Sequence, residues 1–310
     1  MRVNILMSTY NGETFLAEQI ESIRRQTFTD WRLLIRDDGS TDETRSIIKA
    51  YTQKDERICF INEDETENYG VIQSFYHLVK YEEADYYFFS DQDDVWLEDK
   101  LETQLAAFAE VDNSQPVMVY MDLMVVDAKL NVLHKSMVRT QSHHANTKLY
   151  QEMTENTVTG GVSGINHSLA KLWTRTDRVI MHDWYLALLA AALGQLIYID
   201  KPGELYRQHD NNVLGARTWN KRIKNWLKPQ ALVAKYWYLI TSSQEQASLL
   251  RDFELDADDR ALVDAFIGIT EAPLGKRLSS LKSYKLAKNR WFHTFIFRTL
   301  IITKFGYRRN

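Results

Sequence analysis

The sequence predicts an α/β protein built on a mainly parallel sheet flanked by helices. Over the first 130 residues, apolar runs that look like strands alternate with segments of helical period, and polar clusters follow the runs at their carboxyl ends. Residues 3–7 (VNILM) precede a segment in which Leu16, Ile20 and Ile23 recur at helical spacing. Residues 33–35 precede Ser40-Thr41-Asp42-Glu43, which reads as a capping box, with Ser40 and Glu43 satisfying amides at a helix start. Residues 58–61 then 71–79, and 86–89 then 97–108, repeat the alternation. Four strand-then-helix units imply parallel strands with helices on both faces.

Composition sets the outer limits. With 310 residues, 45% hydrophobic and 26% charged, the chain can bury a large core as one large domain or two. Cys59 is the sole cysteine, so no intrachain disulfide forms, and no basic start with an apolar run precedes the first strand; both features suggest a cytosolic protein. The net charge of -4 conceals an asymmetry: residues 275–310 hold ten basic side chains and no Asp or Glu, leaving -14 on the first 274. An acidic body therefore carries a basic, aromatic-rich tail.

In doubly wound sheets, ligands bind beyond the carboxyl ends of the strands. Three polar clusters fall there: Ser8-Thr9-Tyr10-Asn11-Gly12, Asp37-Asp38-Gly39-Ser40 and Asp91-Gln92-Asp93-Asp94. If the fourth strand continues, Asp91 and Asp93 point the same way, a pair suited to Mg2+ or Mn2+. The alternative is a solvated turn with Asp94 capping the next helix, and the tetrapeptide alone does not choose. A dinucleotide dehydrogenase is disfavoured, because no G-x-G-x-x-G follows the first strand.

MSTYNG (7–12), QTFTDWRLLIRDDGSTDET (26–44) and SDQDDVWLEDKL (90–101) together resemble the family 2 glycosyltransferases, which have the GT-A nucleotide-sugar-binding fold. The resemblance covers about residues 1–215, with a donor half to about 130 and an acceptor half over 131–215, ahead of a helical region over 216–310. DQDDVW with the later YRQHDNN is most similar to the bacterial branch that transfers L-rhamnose from dTDP-L-rhamnose in cell-wall and surface polysaccharide assembly. The resemblance implies that Ser8 and Tyr10 line the base pocket, Tyr10 by stacking, and that Asp38 accepts from a pyrimidine N3–H. It makes Asp93 the metal ligand, with Asp91 near the ribose and diphosphate. A bound Mg2+ or Mn2+ would stabilise the charge on the departing nucleoside diphosphate. Read from the residues alone, Tyr10 is a core aromatic and Asp37 or Asp38 only fixes the turn at Gly39.

In the acceptor half, residues 156–161 (NTVTGG) resemble the family's polar, glycine-containing stretch ahead of the acceptor, which implies contacts from Thr159 and Gly160. The family more often has a bulkier residue where Gly161 stands. The plainer reading is a glycine loop before a strand. Met181-His182-Asp183-Trp184 precedes an apolar, helix-like run over 186–193. The family places a carboxylate at this helix start, which makes Asp183 the base that removes the acceptor hydroxyl proton; locally it reads as an N-cap. After a strand at 196–199 and a turn at Pro202-Gly203, the resemblance implies that His209 completes the metal or diphosphate site and that Arg207 contacts diphosphate. His143 and His144 lack zinc-site spacing and read as loop residues, and Asp122 and Asp127 read as structural.

Beyond about Trp219, the aromatic residues Trp219, Trp226, Tyr236, Trp237 and Tyr238, with Leu249, Leu250, Leu262 and Phe266, suggest helices packed on the catalytic domain or on a second copy in a homodimer. The last 29 residues are too interrupted by charge to span a bilayer, which takes about 20 mostly apolar residues. They suit a helix lying among anionic headgroups, which would place the protein peripherally on the inner face of the cell membrane near a polyprenyl-diphosphate-linked saccharide acceptor. A dimer interface, or a core helix with a solvated basic face, fits the same composition. No nucleic-acid motif accompanies the basic tail. The combined expectation is a metal-dependent inverting rhamnosyltransferase; the alternatives are a galactosyl- or N-acetylhexosaminyl-transferase, or a non-catalytic nucleotide-sugar-binding protein.

Overall fold

A computed structural model describes residues 1–208 and 229–307. The strands are β1 Val3–Thr9, β2 Arg32–Asp37, β3 Ile58–Phe60, β4 Tyr86–Ser90, β5 Val95–Trp96, β6 Val117–Val126, β7 Val132–His134, β8 Ser163–Asn166 and β9 Gln195–Arg207. They form one sheet in the order β3-β2-β1-β4-β8-β6-β9-β5, with β7 paired to β6. The first four are mutually parallel, as the alternation predicts. From β8 onward the sheet is mixed: β8 runs antiparallel to both β4 and β6, whereas β6 and β9 are parallel. Beyond β4 the sheet thus mixes parallel and antiparallel pairs.

Helices α1 (Leu16–Arg24), α2 (Thr44–Lys54), α3 (Val71–Tyr81) and α4 (Lys100–Ala109) follow the parallel strands. Side chains alternate across each strand, so one sheet feeds two cores. Val3, Ile5 and Met7 of β1, with Leu33 and Ile35 of β2, face α1, α2 and α4, whereas Leu6, Leu34, Tyr87 and Phe89 face α3. The capping box is absent. Ser40 donates to Asp37 and accepts from the Asn11 amide at 2.9 Å, so it serves the β1 loop. Asp42 takes over the helix start, accepting from the Thr44 amide at 3.0 Å.

Beyond α5 (Leu149–Glu152) and α6 (His167–Leu172), helix α7 (His182–Leu193) is apolar on every side, and Tyr185 to Ala190 are fully buried. That is the pattern of a core helix, where each buried leucine contributes about 1.5–3 kcal/mol. What encloses it is the C-terminal region: α8 (Pro229–Ser248), α9 (Ala257–Ile267), α10 (Leu274–Ser283) and α11 (Trp291–Thr303). Tyr236, Trp237, Leu250, Phe266 and Phe297 join Leu186 and Leu189 in one continuous core. The aromatic helices therefore pack on the catalytic domain. Trp219 and Trp226 lie outside the described residues.

The segment before α11 is tied to the acceptor half: Lys288 donates to the Thr154 carbonyl, the Asn289 amide to Glu155 at 2.8 Å, and Arg290 to the Thr140 carbonyl at 2.6 Å. Part of the basic tail is thus structural. No helix among the described residues is long and apolar enough to cross a membrane.

Candidate active site

The loops after β1, β2 and β4 are laced into one rim. Gln92 grips the Tyr10 backbone from both sides, accepting from its amide and donating to its carbonyl, each at 2.9 Å. Thr9 donates to Asp37 at 3.0 Å, and Asp37 also receives Arg45 at 3.0 Å, which fixes the turn at Gly39 (φ 83°). Tyr10 projects from this rim with 51% of its surface exposed, so it is not a core aromatic. Ser8 lies half-buried one turn of the pleat below.

The strand does not continue through DQDD. The chain bends at Gln92 and Asp93 before resuming as β5, so alternation along an extended strand is not what brings the carboxylates together. They converge through the fold instead. Burial pushes the Asp91 carboxyl well up, and Asp93, Glu204 and Asp183 push it further, with Lys100 opposing. Asp94 does not cap α4, whose N-cap is Asp99; it is fully buried and accepts from the Arg207 amide at 2.9 Å. Burial and the neighbouring Glu204 raise it strongly.

Gly160 and Gly161 lie between Asp183 on one side and Asp91 with Glu204 on the other. A Cβ on Gly161 would stand 2.8 Å from Glu204 Oε1 and 3.2 Å from Asp91 Oδ2, so glycine lets the two carboxyls approach the backbone. At Gly160 a Cβ would meet His182 Nε2 at 3.2 Å and Asp183 Cβ at 4.0 Å. Asp183 sits in the first turn of α7, 6% exposed, and accepts from the Trp184 amide at 2.6 Å and from the Gly160 amide. The N-cap of α7 is Met181, so Asp183 is not the cap. Burial, opposed by these amides, pushes its carboxyl up to about 6. That is the range in which a carboxylate can both hold and release a proton near neutral pH.

Residues 4–171 match the family described as glycosyl transferase family 2. This chain belongs to that family. A curated relative, the dTDP-rhamnosyl transferase RfbG of Shigella flexneri, is 29% identical over 312 residues, which cover 96% of this chain and all of the relative. The glucosyltransferase WfgD of Escherichia coli, described as acting from UDP-Glc on α-D-GlcNAc-diphosphoundecaprenol, is 34% identical over 104 residues, or 34% of this chain and 40% of WfgD. Among solved structures, residues 1–349 of S. aureus TarS share the fold at TM-score 0.56 and 15% identity, covering all of this chain and 93% of that one. The mannosyltransferase PcManGT of Pyrobaculum calidifontis, solved with GDP-Man and Mn2+, matches at TM-score 0.51 and 12% identity, covering 97% and 87%. The fold is thus GT-A.

Two residues expected to touch the donor of this family 2 glycosyltransferase are engaged within the protein. Arg207 is 2% exposed, donates to the carbonyls of Asp93 and Ala128 at 2.8 Å each and to Glu18 at 2.5 Å, and lies 4.3 Å over the Phe15 ring. Its guanidinium shapes the DQDD loop from below. Asp38 is 4% exposed and already accepts from Arg36 at 2.7 Å, Ser74 at 3.0 Å, and the amides of Tyr69 and Gly70 at 2.7 and 2.8 Å. A carboxylate has about four lone-pair sites. Asp38 therefore orders the loop over 67–70 and has little capacity left for a base N3–H.

His209 lies outside the described residues. Among the described residues, no group of three His, Cys, Asp or Glu side chains is arranged to hold a metal ion. Several buried groups escape a reading of the sequence. Lys100 and Glu204 meet beneath Gly161, and Glu152 and His182 lie close to Asp183. Lys100 sits in WLEDKLE and looks like a solvated helix cation, and Glu204, in DKPGELYR, looks like a turn residue. Burial drives His182 down to about 3, so it is neutral, packed 4.4 Å from the Phe75 ring.

Proposed function

We propose that this family 2 glycosyltransferase is an inverting, divalent-metal-dependent α-L-rhamnosyltransferase. It would draw on dTDP-β-L-rhamnose and extend a polyprenyl-diphosphate-linked saccharide of cell-wall or surface polysaccharide. The observation that carries the transfer chemistry is Asp183, held by the Gly160 amide and near enough to Asp91 to raise its pKa. The full-length likeness to a protein described as a dTDP-rhamnosyl transferase supports the donor.

In this reading Tyr10 stacks on the base and Ser8 lines its pocket. Asp91 lies near the ribose and diphosphate, and Asp93, with His209, would hold Mg2+ or Mn2+. Asp93 supplies an oxygen donor of the kind a hard cation prefers, and His209 would add a nitrogen; burial first, and then the carboxylates of Asp93, Glu204 and Asp183, raise the neighbouring Asp91. When bound, the ion would neutralise charge developing on the diphosphate. Thr159 and the Gly160 backbone would position the acceptor. Asp183 takes the proton from the acceptor hydroxyl as its oxygen bonds to the anomeric carbon. The bond from that carbon to the diphosphate breaks on the opposite face, and β becomes α.

The test is nucleoside diphosphate release by purified protein with a lipid-linked rhamnosyl acceptor and a panel of nucleotide sugars, in Mg2+ or Mn2+ and in chelator. Metal-dependent product with dTDP-L-rhamnose alone supports the whole reading. Turnover with a galactosyl or N-acetylhexosaminyl donor would keep the mechanism and replace the sugar, and donor binding without turnover would leave a binding protein.

A further inference from the structure

Half of the large hydrophobic side chains exposed among the described residues fall in 229–307, although that stretch is far shorter than 1–208. Helix α11 shows why they matter. Its inner stripe, Phe297, Leu300 and Ile301, is buried in the core, but its outer stripe begins with Trp291, 80% exposed, and Phe295 one turn on, 63% exposed. Thr299 and Thr303 continue that line without a charge. A solvated helix ordinarily carries charged residues on its outer face.

Helix α10 packs beside α11, and Arg277 holds the Ile301 and Ile302 carbonyls at 2.8 and 2.6 Å. It exposes Leu274 and Leu278, again one turn apart, next to the exposed cations Lys276 and Lys282, with Lys285 following. From Gly275 to the end of the chain no carboxylate offsets them. Ring and leucine side chains standing out beside exposed lysines match the interfacial zone of an anionic bilayer, where apolar groups enter the acyl boundary and lysines meet headgroups.

We infer that the outer faces of α10 and α11 form a docking surface for anionic lipid, with Trp291 and Phe295 as anchors and Lys276, Lys282 and Lys285 as headgroup contacts. The inference deepens the proposed function, since a polyprenyl-linked acceptor lies in such a membrane, and it rests on that reading for its purpose alone.

Full-length protein would be sedimented with vesicles of phosphatidylcholine alone and with vesicles of phosphatidylcholine and phosphatidylglycerol in equal parts. Binding is expected only to the second, weakening with salt. Trp291→Ser with Phe295→Ser should weaken it about tenfold or more, as should Lys276→Glu, Lys282→Glu and Lys285→Glu together. Thermal melts should stay unchanged, because these side chains are exposed. No sedimentation, equal binding to both vesicles, or full binding by the lysine variant would overturn the inference. So would a dimer by light scattering that the Trp291 and Phe295 changes dissolve. No step of this assay requires sugar transfer, so its failure and that of the proposed activity are separable.

Discussion

Lys100 Nζ lies 3.2 Å from Glu204 Oε2, and neither side chain has any solvent exposure. The same ammonium donates to the Gly161 carbonyl and rests 3.6 Å from the Trp96 ring centroid. One buried cation thus faces Glu204, Asp94 and Asp91, and burial pulls it down to about 8. Glu204 and Asp94 are both pushed up, chiefly by burial, and Glu204 Oε1 and Asp94 Oδ2 have no hydrogen-bond partner among the described residues.

Removing half of such a pair strands its partner in a medium that solvates charge poorly. Lys100→Met should cost about 3–5 kcal/mol in urea denaturation. Adding Glu204→Gln to Lys100→Met should recover more than half of the loss. A cost under about 1 kcal/mol for Lys100→Met would show that the pair does not hold the floor of the site.

Asp183 must be ionised to accept a proton. With its carboxyl raised to about 6, kcat/KM should fall about tenfold per pH unit below that value and level off above it. Asp183→Asn should lower turnover by about 100- to 10,000-fold, the usual contribution of a general base, with donor affinity by calorimetry little changed. Retained turnover would remove Asp183 as the base.

Glu152 is buried and raised to about 8 despite accepting from the Thr157 amide at 3.1 Å. Between the ordinary glutamate value and about 8, the native state keeps a proton that the unfolded chain has released. Stability should therefore fall as pH rises through that window, by at most about 1.4 kcal/mol per unit. Glu152→Gln, which is neutral throughout, should flatten that slope in melts taken from pH 5 to 8; an unchanged slope would assign it to other groups.

Tyr10 is exposed at the rim with its backbone locked by Gln92, so its ring meets a base without reordering the loop. Tyr10→Ala should weaken nucleotide binding by about 1–3 kcal/mol, the worth of one base stack, with little change in melting temperature. Tyr10→Phe should bind nearly as well as the native protein. Equal binding by Tyr10→Ala would move the base pocket elsewhere.

Periodicity and turn chemistry are local signals, and they located the four parallel strands, their helices and the apolar run of α7; read locally, Tyr10 looked like a core aromatic, and the structure exposes it. One local reading failed because distant groups competed for the same atoms: Ser40 was drawn to Asn11 and Asp37 and did not cap α2. Arg207, which the resemblance places at a diphosphate, is held by Glu18 and the Asp93 carbonyl. Asp38 looks available in DDGS, yet Tyr69 and Gly70, which saturate it, come from a loop some thirty residues on.

The fold class, the rim of strand-end clusters and the candidate base were legible in the chain, since each depends on residues close together or on a family pattern of spaced motifs. Which charges are buried together follows from the three-dimensional packing alone. Lys100 and Glu204 are 104 residues apart and each looks like a surface charge, but β9 pairs antiparallel with the short β5 and delivers Glu204 beside the start of α4. Desolvation acts on groups that meet in space, so the charge state of the site is set by packing that no local stretch of sequence contains.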